Sequence, residues 1–347
     1  MAGAFPVQTS LIVIIFRLAL VVSLALFAII PATARAESDG VIFSGVNEFE
    51  TGVARDEGSL TTAHPAISKV ELQVNSPESR PFGALLRLKH EIDDDEVDEA
   101  YLRYRFGAEN DFAVVAGKTY SPFGQFDTSL ITDPMTLTVG ESHIQGLKIE
   151  RDHAGWVISL FASSDSPGNG GNLPGGVGLS YHRGEDWRGY GFGVAAVSNL
   201  ATGDEISAAL STPGFSSRAV PALAAHASYG NGTNRIIVEA VSASERFAVV
   251  DLAFAGAGAR PEALRAEVDR RFQFLNKPIT LAASLQQSHE ALALDLPQTR
   301  ISTGISTALS RNASLALEWL HDIAYPVSVG GSGKTNDTLT LQFALTF

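Results

Sequence analysis

The segment Asp337-Thr-Leu-Thr-Leu-Gln-Phe-Ala-Leu-Thr-Phe347 alternates Leu339, Leu341, Phe343, Leu345 and Phe347 with Thr338, Thr340, Gln342, Ala344 and Thr346. One face is wholly apolar, the other polar without charge. On a soluble protein such a strand is an exposed, adhesive edge. In a closed transmembrane β-barrel it pairs with the first strand and turns its apolar face to lipid. Phe347 is then the expected assembly signal, and outer-membrane lipid and the barrel assembly machinery are the expected partners.

Period-two stretches recur upstream of it. They predict strands near 41–53, 66–74, 83–91, 97–106, 112–119, 142–150, 156–163 and 176–183, then 189–199, 221–230, 233–243, 264–274, 278–288, 298–308, 312–322 and 337–347. Sixteen strands make a barrel wide enough to hold an aqueous channel. Short turns should alternate with long outer loops, the loops falling after odd-numbered strands. The long connections expected are 54–65, 120–141, 164–175, 200–220, 244–263 and 323–336; a short 92–97 and a longish 75–82 break the rule.

Charge confirms which face is wet. In 97–106, Leu102, Tyr104 and Phe106 oppose Tyr101, Arg103 and Arg105; in 264–274, Leu264, Ala266, Val268, Phe272 and Phe274 oppose Arg265, Glu267, Asp269, Arg271 and Gln273. Water in a lumen solvates these charges, whereas a sandwich core would have to pair every one. Arg270 falls on the apolar face, which is cheap only near a membrane interface.

The beginning of the chain fits the same compartment. Arg17, the apolar run Leu18 to Ile30, Pro31 and Ala34-Arg35-Ala36 have the order of a secretory signal, with cleavage expected before Glu37. The expected organisation is thus a signal peptide at 1–36 and an all-β, antiparallel outer-membrane barrel at 37–347, with 120–141 folded into the pore. The mature portion carries 23 Lys and Arg against 38 Asp and Glu, which argues against a nucleic-acid partner. With no cysteine, neither disulfides nor thiolate metal sites are possible. No cofactor or metal is expected, and the localisation expected is the bacterial outer membrane.

The densest functional signal is Phe112 to Glu141. Pro122, Gly124 and Pro134 interrupt pairing, while Phe123, Phe126, Leu130, Ile131 and Met135 are too apolar for a loop left in water. Such a loop is expected to tuck against the inner wall and narrow the pore, with Lys118, Tyr120, Pro122, Phe123, Phe126, Asp127, Asp133 and Glu141 along the solute path. Lys69, Arg87, Lys89, Arg103, Arg105, Lys118 and Lys148, from strands two to six, share the inferred lumen parity and give an expected basic wall beneath it. Acids on the loop opposite bases on the wall would set up a transverse field that sorts solutes by charge and dipole. The alternative is that these charges merely hydrate the lumen and pair with Glu71 or Glu150.

This stretch resembles the LbtU family of outer-membrane siderophore porins. The resemblance rests on Gly117-Lys118-x-Tyr120-x-Pro122-Phe123-Gly124-x-Phe126-x-Thr128, Ile131-x-Asp133-Pro134-x-Thr136-Leu137 and Gly140-Glu141, with Asp98-Glu99-Ala100 upstream and Gly256 to Pro261 downstream. It departs from the family pattern at Ser121, Gln125 and Thr138. The resemblance implies a barrel that admits a ferric siderophore by facilitated diffusion, without the architecture of a large energised receptor. The runner-up expectation is a general porin for small anions or organic acids.

Other signals are weaker. Glu91 to Glu99 holds seven acids in nine residues but lacks the glycine and spacing of a calcium loop. Gly330-Gly-Ser-Gly-Lys-Thr335 lacks the first glycine of a phosphate loop, that place being Ser328. His321-Asp322 with Ser310 or Ser328, or His289, is the material for an outer-membrane hydrolase, but adjacency in sequence does not make a triad. No enzyme activity is expected, and an adhesin role would sit in the outer loops.

Overall fold

The computed structural model describes residues 40–56, 59–77, 80–91, 94–164, 173–185 and 187–347. The expected signal peptide lies outside them. Sixteen antiparallel strands close into one barrel: β1 (Ile42–Asp56), β2 (Ser59–Asn75), β3 (Phe82–Glu91), β4 (Asp94–Phe106), β5 (Phe112–Tyr120), β6 (His143–His153), β7 (Trp156–Ser163), β8 (Gly175–Glu185), β9 (Arg188–Val197), β10 (Ala222–Asn231) and β11 (Asn234–Ala243). A two-stranded ladder, β12 (Ala253–Phe254) and β13 (Ala257–Gly258), decorates the next outer loop. The barrel resumes with β14 (Glu262–Phe274), β15 (Lys277–His289), β16 (Thr299–Ala308), β17 (Ala313–Ile323) and β18 (Thr335–Thr346).

The terminal strand closes the cylinder as its alternation predicts. Leu341 lies opposite Thr51 and Phe343 opposite Phe49, and Phe347 exchanges backbone hydrogen bonds with Gly45 at 3.1 and 3.2 Å. Closure leaves no sheet edge in the membrane, the condition any spanning β structure must meet. Outward rows such as Leu264, Val268, Phe272 and Phe274 are exposed, while Arg265, Glu267 and Asp269 between them are fully buried inside. Arg270 points outward near the turn end, beside Phe272 and Phe274. Around that rim the outward aromatics form a girdle, with ring centroids 4.5 Å apart for Phe82 and Tyr104, 5.3 Å for Phe106 and Phe112, and 4.8 Å for Trp156 and Tyr181. An apolar belt with an aromatic rim is the surface of a protein embedded in the outer membrane.

The expected outer loop at 54–65 is instead strand. Ala54 pairs with Thr61, Arg55 with Leu60 and Asp56 with Ser59, so only residues 57–58 join β1 to β2. Its polar composition and closing Pro65 read as loop, yet pairing continues through it, with two register shifts between Glu48 and Gly52. Two short helices were also not legible as such, Met135–Gly140 and Asp204–Ala209. Pro134 supplies the extended residue that opens the first, and the Glu141 N–H closes it on the Leu137 carbonyl at 2.8 Å.

Candidate functional site: the inner loop and its passage

Residues 121–142, between β5 and β6, fold into the barrel. The loop enters past β8, where the Pro122 carbonyl oxygen would stand 3.0 Å from a Cβ on Gly178, so a larger residue there would push the loop aside. It then crosses the inner wall from β11 to β17. The Gln125 N–H and Thr136 hydroxyl donate to Glu239 at 2.7 and 2.6 Å. The Thr128 hydroxyl and Ser129 N–H donate to Glu267 at 2.7 and 2.9 Å, and the Met135 N–H donates to Gln286 at 2.7 Å. Ile131 and Thr132 both donate their N–H groups to Glu318, at 2.5 and 3.0 Å.

An irregular segment inside a barrel has backbone donors with no ladder to join. Here four neighbouring strands supply the acceptors, most of them carboxylates, which make stronger hydrogen bonds than neutral oxygens. Two guanidinium groups work the other way. Arg265, fully buried between Glu239 and Glu267, donates to the Asp127 carbonyl at 2.8 Å, and Arg235, paired with Asp269, donates to the Ser129 hydroxyl at 2.9 Å. The loop is bolted down along its length.

On its upper side the loop shares an apolar core with three outer connections. Phe123, Met135 and Val139 pack with Leu200, Ile206, Leu210 and Val220, then with Phe247, Leu252, Leu294 and Leu296. Phe126 packs against this core. Phe123 is only 2% exposed, so it anchors the cap rather than lining the solute path expected for it.

The wall directly beneath the loop is therefore acidic, with Glu239, Glu267, Asp269 and Glu318, and not basic as expected. The bases lie across the lumen and are largely ion-paired. Lys69 is 3.7 Å from Glu71, Arg87 3.3 Å from Glu71 and 3.0 Å from Glu99, Lys89 3.0 Å from Glu91, and Lys148 3.3 Å from Glu150. Arg103 and Arg105 occupy the same lumen-side parity lower on β4, opposite Val115 and Ala113. Lys118 departs from the expected row. It pairs with Ala100 and Gln145, one step from the row of Tyr101, Gly117 and Gly146, and its ammonium donates to the Val97 carbonyl at 2.7 Å and to Glu96 at 3.2 Å.

Between loop and far wall runs the passage. Asp133 sits exposed on the loop, with Lys69, Lys89, Glu91 and Glu50 as its charged surroundings; enclosure by the barrel raises its carboxyl and the two lysines oppose that rise. Asp127 is exposed and accepts from the Gln125 side chain at 2.9 Å, above a cavity of about 30 Å³ shared with His226, Ser228 and Arg235. That volume suits one or two water molecules. At the loop's base, Tyr120 turns to Asp98, its hydroxyl donating at 2.7 Å. Burial and the neighbouring Asp204 push the Glu141 carboxyl up to about 7.

The histidine and glycine signals do not converge on chemistry. His321 pairs with Asp337 at 2.9 Å, while Ser310 lies in the turn at the opposite end of β17. Gly330 to Lys334 form a loop followed by β18, not a helix. Among the described residues no cluster of three metal-ligating side chains occurs.

No protein-family model matches the chain. It is 27% identical over 268 residues to a UPF0422 protein of Legionella pneumophila strain Lens, covering 67% of this chain and 50% of the relative. It is 24% identical over 344 residues to a UPF0422 protein of Coxiella burnetii, covering 90% of this chain and 73% of the relative. The chain thus spans about half the length of the first of these. Among solved structures it resembles the anion-selective porin from Comamonas acidovorans (TM-score 0.61, 12% identity, 89% of this chain and 99% of that one). Salmonella typhi OmpF gives TM-score 0.61 at 13% identity, covering 88% and 97%, and the outer membrane channel DcaP of Acinetobacter baumannii gives 0.58 at 12%, covering 88% and 97%. The fold is that of the outer-membrane porins.

Proposed function

We propose that this chain is an outer-membrane porin that lets a small solute, in the first instance a ferric siderophore, diffuse inward through a passage narrowed by residues 121–142. The carrying observation is the bolted loop. An inner segment held by Glu239, Glu267, Gln286 and Glu318 leaves an opening of fixed width, bordered by Asp127 and Asp133 on one side and the charges of β1–β6 on the other. Both faces of that opening carry charge, which suits a polar solute rich in oxygen donors. The siderophore identity is supported by the resemblance of 117–141 to the LbtU family. The ion-pairing of Lys69, Arg87, Lys89 and Lys148 weighs against the small-anion reading, since paired bases offer little net positive field.

The test is single-channel conductance of the refolded protein in a planar bilayer, with ferric siderophore added from one side. Dose-dependent block by the ferric but not the iron-free form is the expected result. Steady conductance untouched by any siderophore would leave a general porin, and absence of conductance would remove the porin reading.

A further inference from the structure

His143 ties the outer loop at 198–221 to the base of the inner loop. Its Nδ1 lies 2.9 Å from Asp204 Oδ2 and its Nε2 3.2 Å from Asp98 Oδ1, while its backbone N–H donates to Asp204 Oδ1 at 3.3 Å. The Tyr120 ring packs against the imidazole at a tilt, with centroids 4.1 Å apart, and its hydroxyl donates to Asp98. The Asp204 N–H donates to the Glu141 carbonyl at 3.0 Å, completing the join. A carboxylate only accepts hydrogen bonds, so an imidazole flanked by two carboxylates satisfies both only when both ring nitrogens carry a proton.

We propose that His143 is a pH-sensitive clasp that fastens the 198–221 loop over the inner loop as an imidazolium and releases it when deprotonated. The groups facing it are Asp98 from β4, Tyr120 and Lys118 from β5, Glu141 from the inner loop and Asp204 from the clasped helix; Arg87 and Lys89 of β3 face Asp98 and Glu141. Loss of the imidazolium proton turns one Asp–His contact into a carboxylate facing a lone pair. It also removes the one cation that touches both Asp98 and Asp204; Arg87 stays 3.4 Å from Asp98, but Asp204 is left beside Glu141 without its imidazolium partner. Among the described residues His143 is the ion-pair partner of Asp204, so the side-chain tie to the helix weakens as pH rises, while Arg87 continues to hold Asp98 on the barrel side. Leu200, Ile206 and Leu210, which the clasped loop contributes to the apolar core, set what opening exposes.

The chain has no native cysteine, so a single introduced thiol reports on the loop alone. Ala201→Cys, a fully buried position on the core side of the loop itself, is labelled with a maleimide between about pH 7.5 and about 10, a range over which Glu141 is mostly ionised. Its rate is divided by that of Val250→Cys, exposed at the top of the cap, to cancel the intrinsic thiolate dependence. The ratio is expected to rise at least about tenfold across the range, the lower bound set by loss of one hydrogen bond to a charged group. In a His143→Gln background it should be flat and raised throughout. A flat ratio with His143 intact, or an unchanged rise in the His143→Gln background, overturns the proposal. Heat-modifiable electrophoretic mobility shows that each variant barrel is folded, and the labelling readout does not depend on the solute that the pore admits.

Discussion

Glu318→Ala tests whether the wall carboxylates hold the inner loop in place. Glu318 is 2% exposed and accepts the N–H groups of both Ile131 and Thr132, directly before Asp133. A hydrogen bond to a charged group contributes about 1.5–3 kcal/mol, so the pair is worth roughly 3–6 kcal/mol before any replacement by water. Lumen water can reach the freed N–H groups once the segment lifts, which leaves about 2–3 kcal/mol of lost hold on residues 130–133. That corresponds to a roughly 30- to 150-fold rise in the lifted population of this stretch. Single-channel traces should then show added flicker and a broadened conductance distribution, with the barrel still folded because the strand ladder is untouched. Glu318→Gln keeps an acceptor oxygen without the charge and should fall between wild type and Glu318→Ala. Quiet traces at wild-type conductance for Glu318→Ala would refute the idea that the wall carboxylates hold the loop.

Replacing Asp127 and Asp133 with Asn should shift reversal potentials in a salt gradient toward anion preference, and unchanged selectivity would take the loop face out of the conduction path. Glu141 is ionised above about pH 7 and neutral below it, so acidification through that range removes a negative charge from the loop base; cation preference should fall accordingly, and Glu141→Gln should abolish this step while keeping the rest of the pH profile. Deleting Phe347 removes both backbone hydrogen bonds to Gly45 at the closing seam, and a reduced yield of heat-modifiable barrel in membranes is expected; a normal yield would mean that closure does not rest on this residue.

The barrel was legible in the sequence because period two is a strong signal wherever one face meets lipid and the other water. Leu102, Tyr104 and Phe106 on β4 could not have faced inward without turning Arg103 and Arg105 to the acyl chains. The position of the inner loop was legible from Pro122, Gly124 and Pro134, but its partners were not. Glu239, Glu267 and Glu318 sit on lumen-facing positions of separate strands, more than a hundred residues from the N–H groups they accept, and on paper look like any charge that hydrates a channel. Only the closed register brings them into line under the loop. The β1–β2 hairpin misled for a local reason, since the polar run around Arg55, Asp56 and Ser59 to Thr62 reads as a loop while the backbone at 54–56 and 59–63 stays paired.

The apolar core that joins the inner loop to 198–221, 244–261 and 290–298 also governs how the outer surface can drift. Residues displayed to the exterior, among them Val249 and Val250, sit a few positions from Phe247 and Leu252, which share a core with Met135 inside the pore. Selection by antibodies or phage that favours new surface sequence would therefore be tolerated at the tips and punished at the flanks, where a change alters the bore. Diversity among relatives should accumulate in short islands on this half of the mouth.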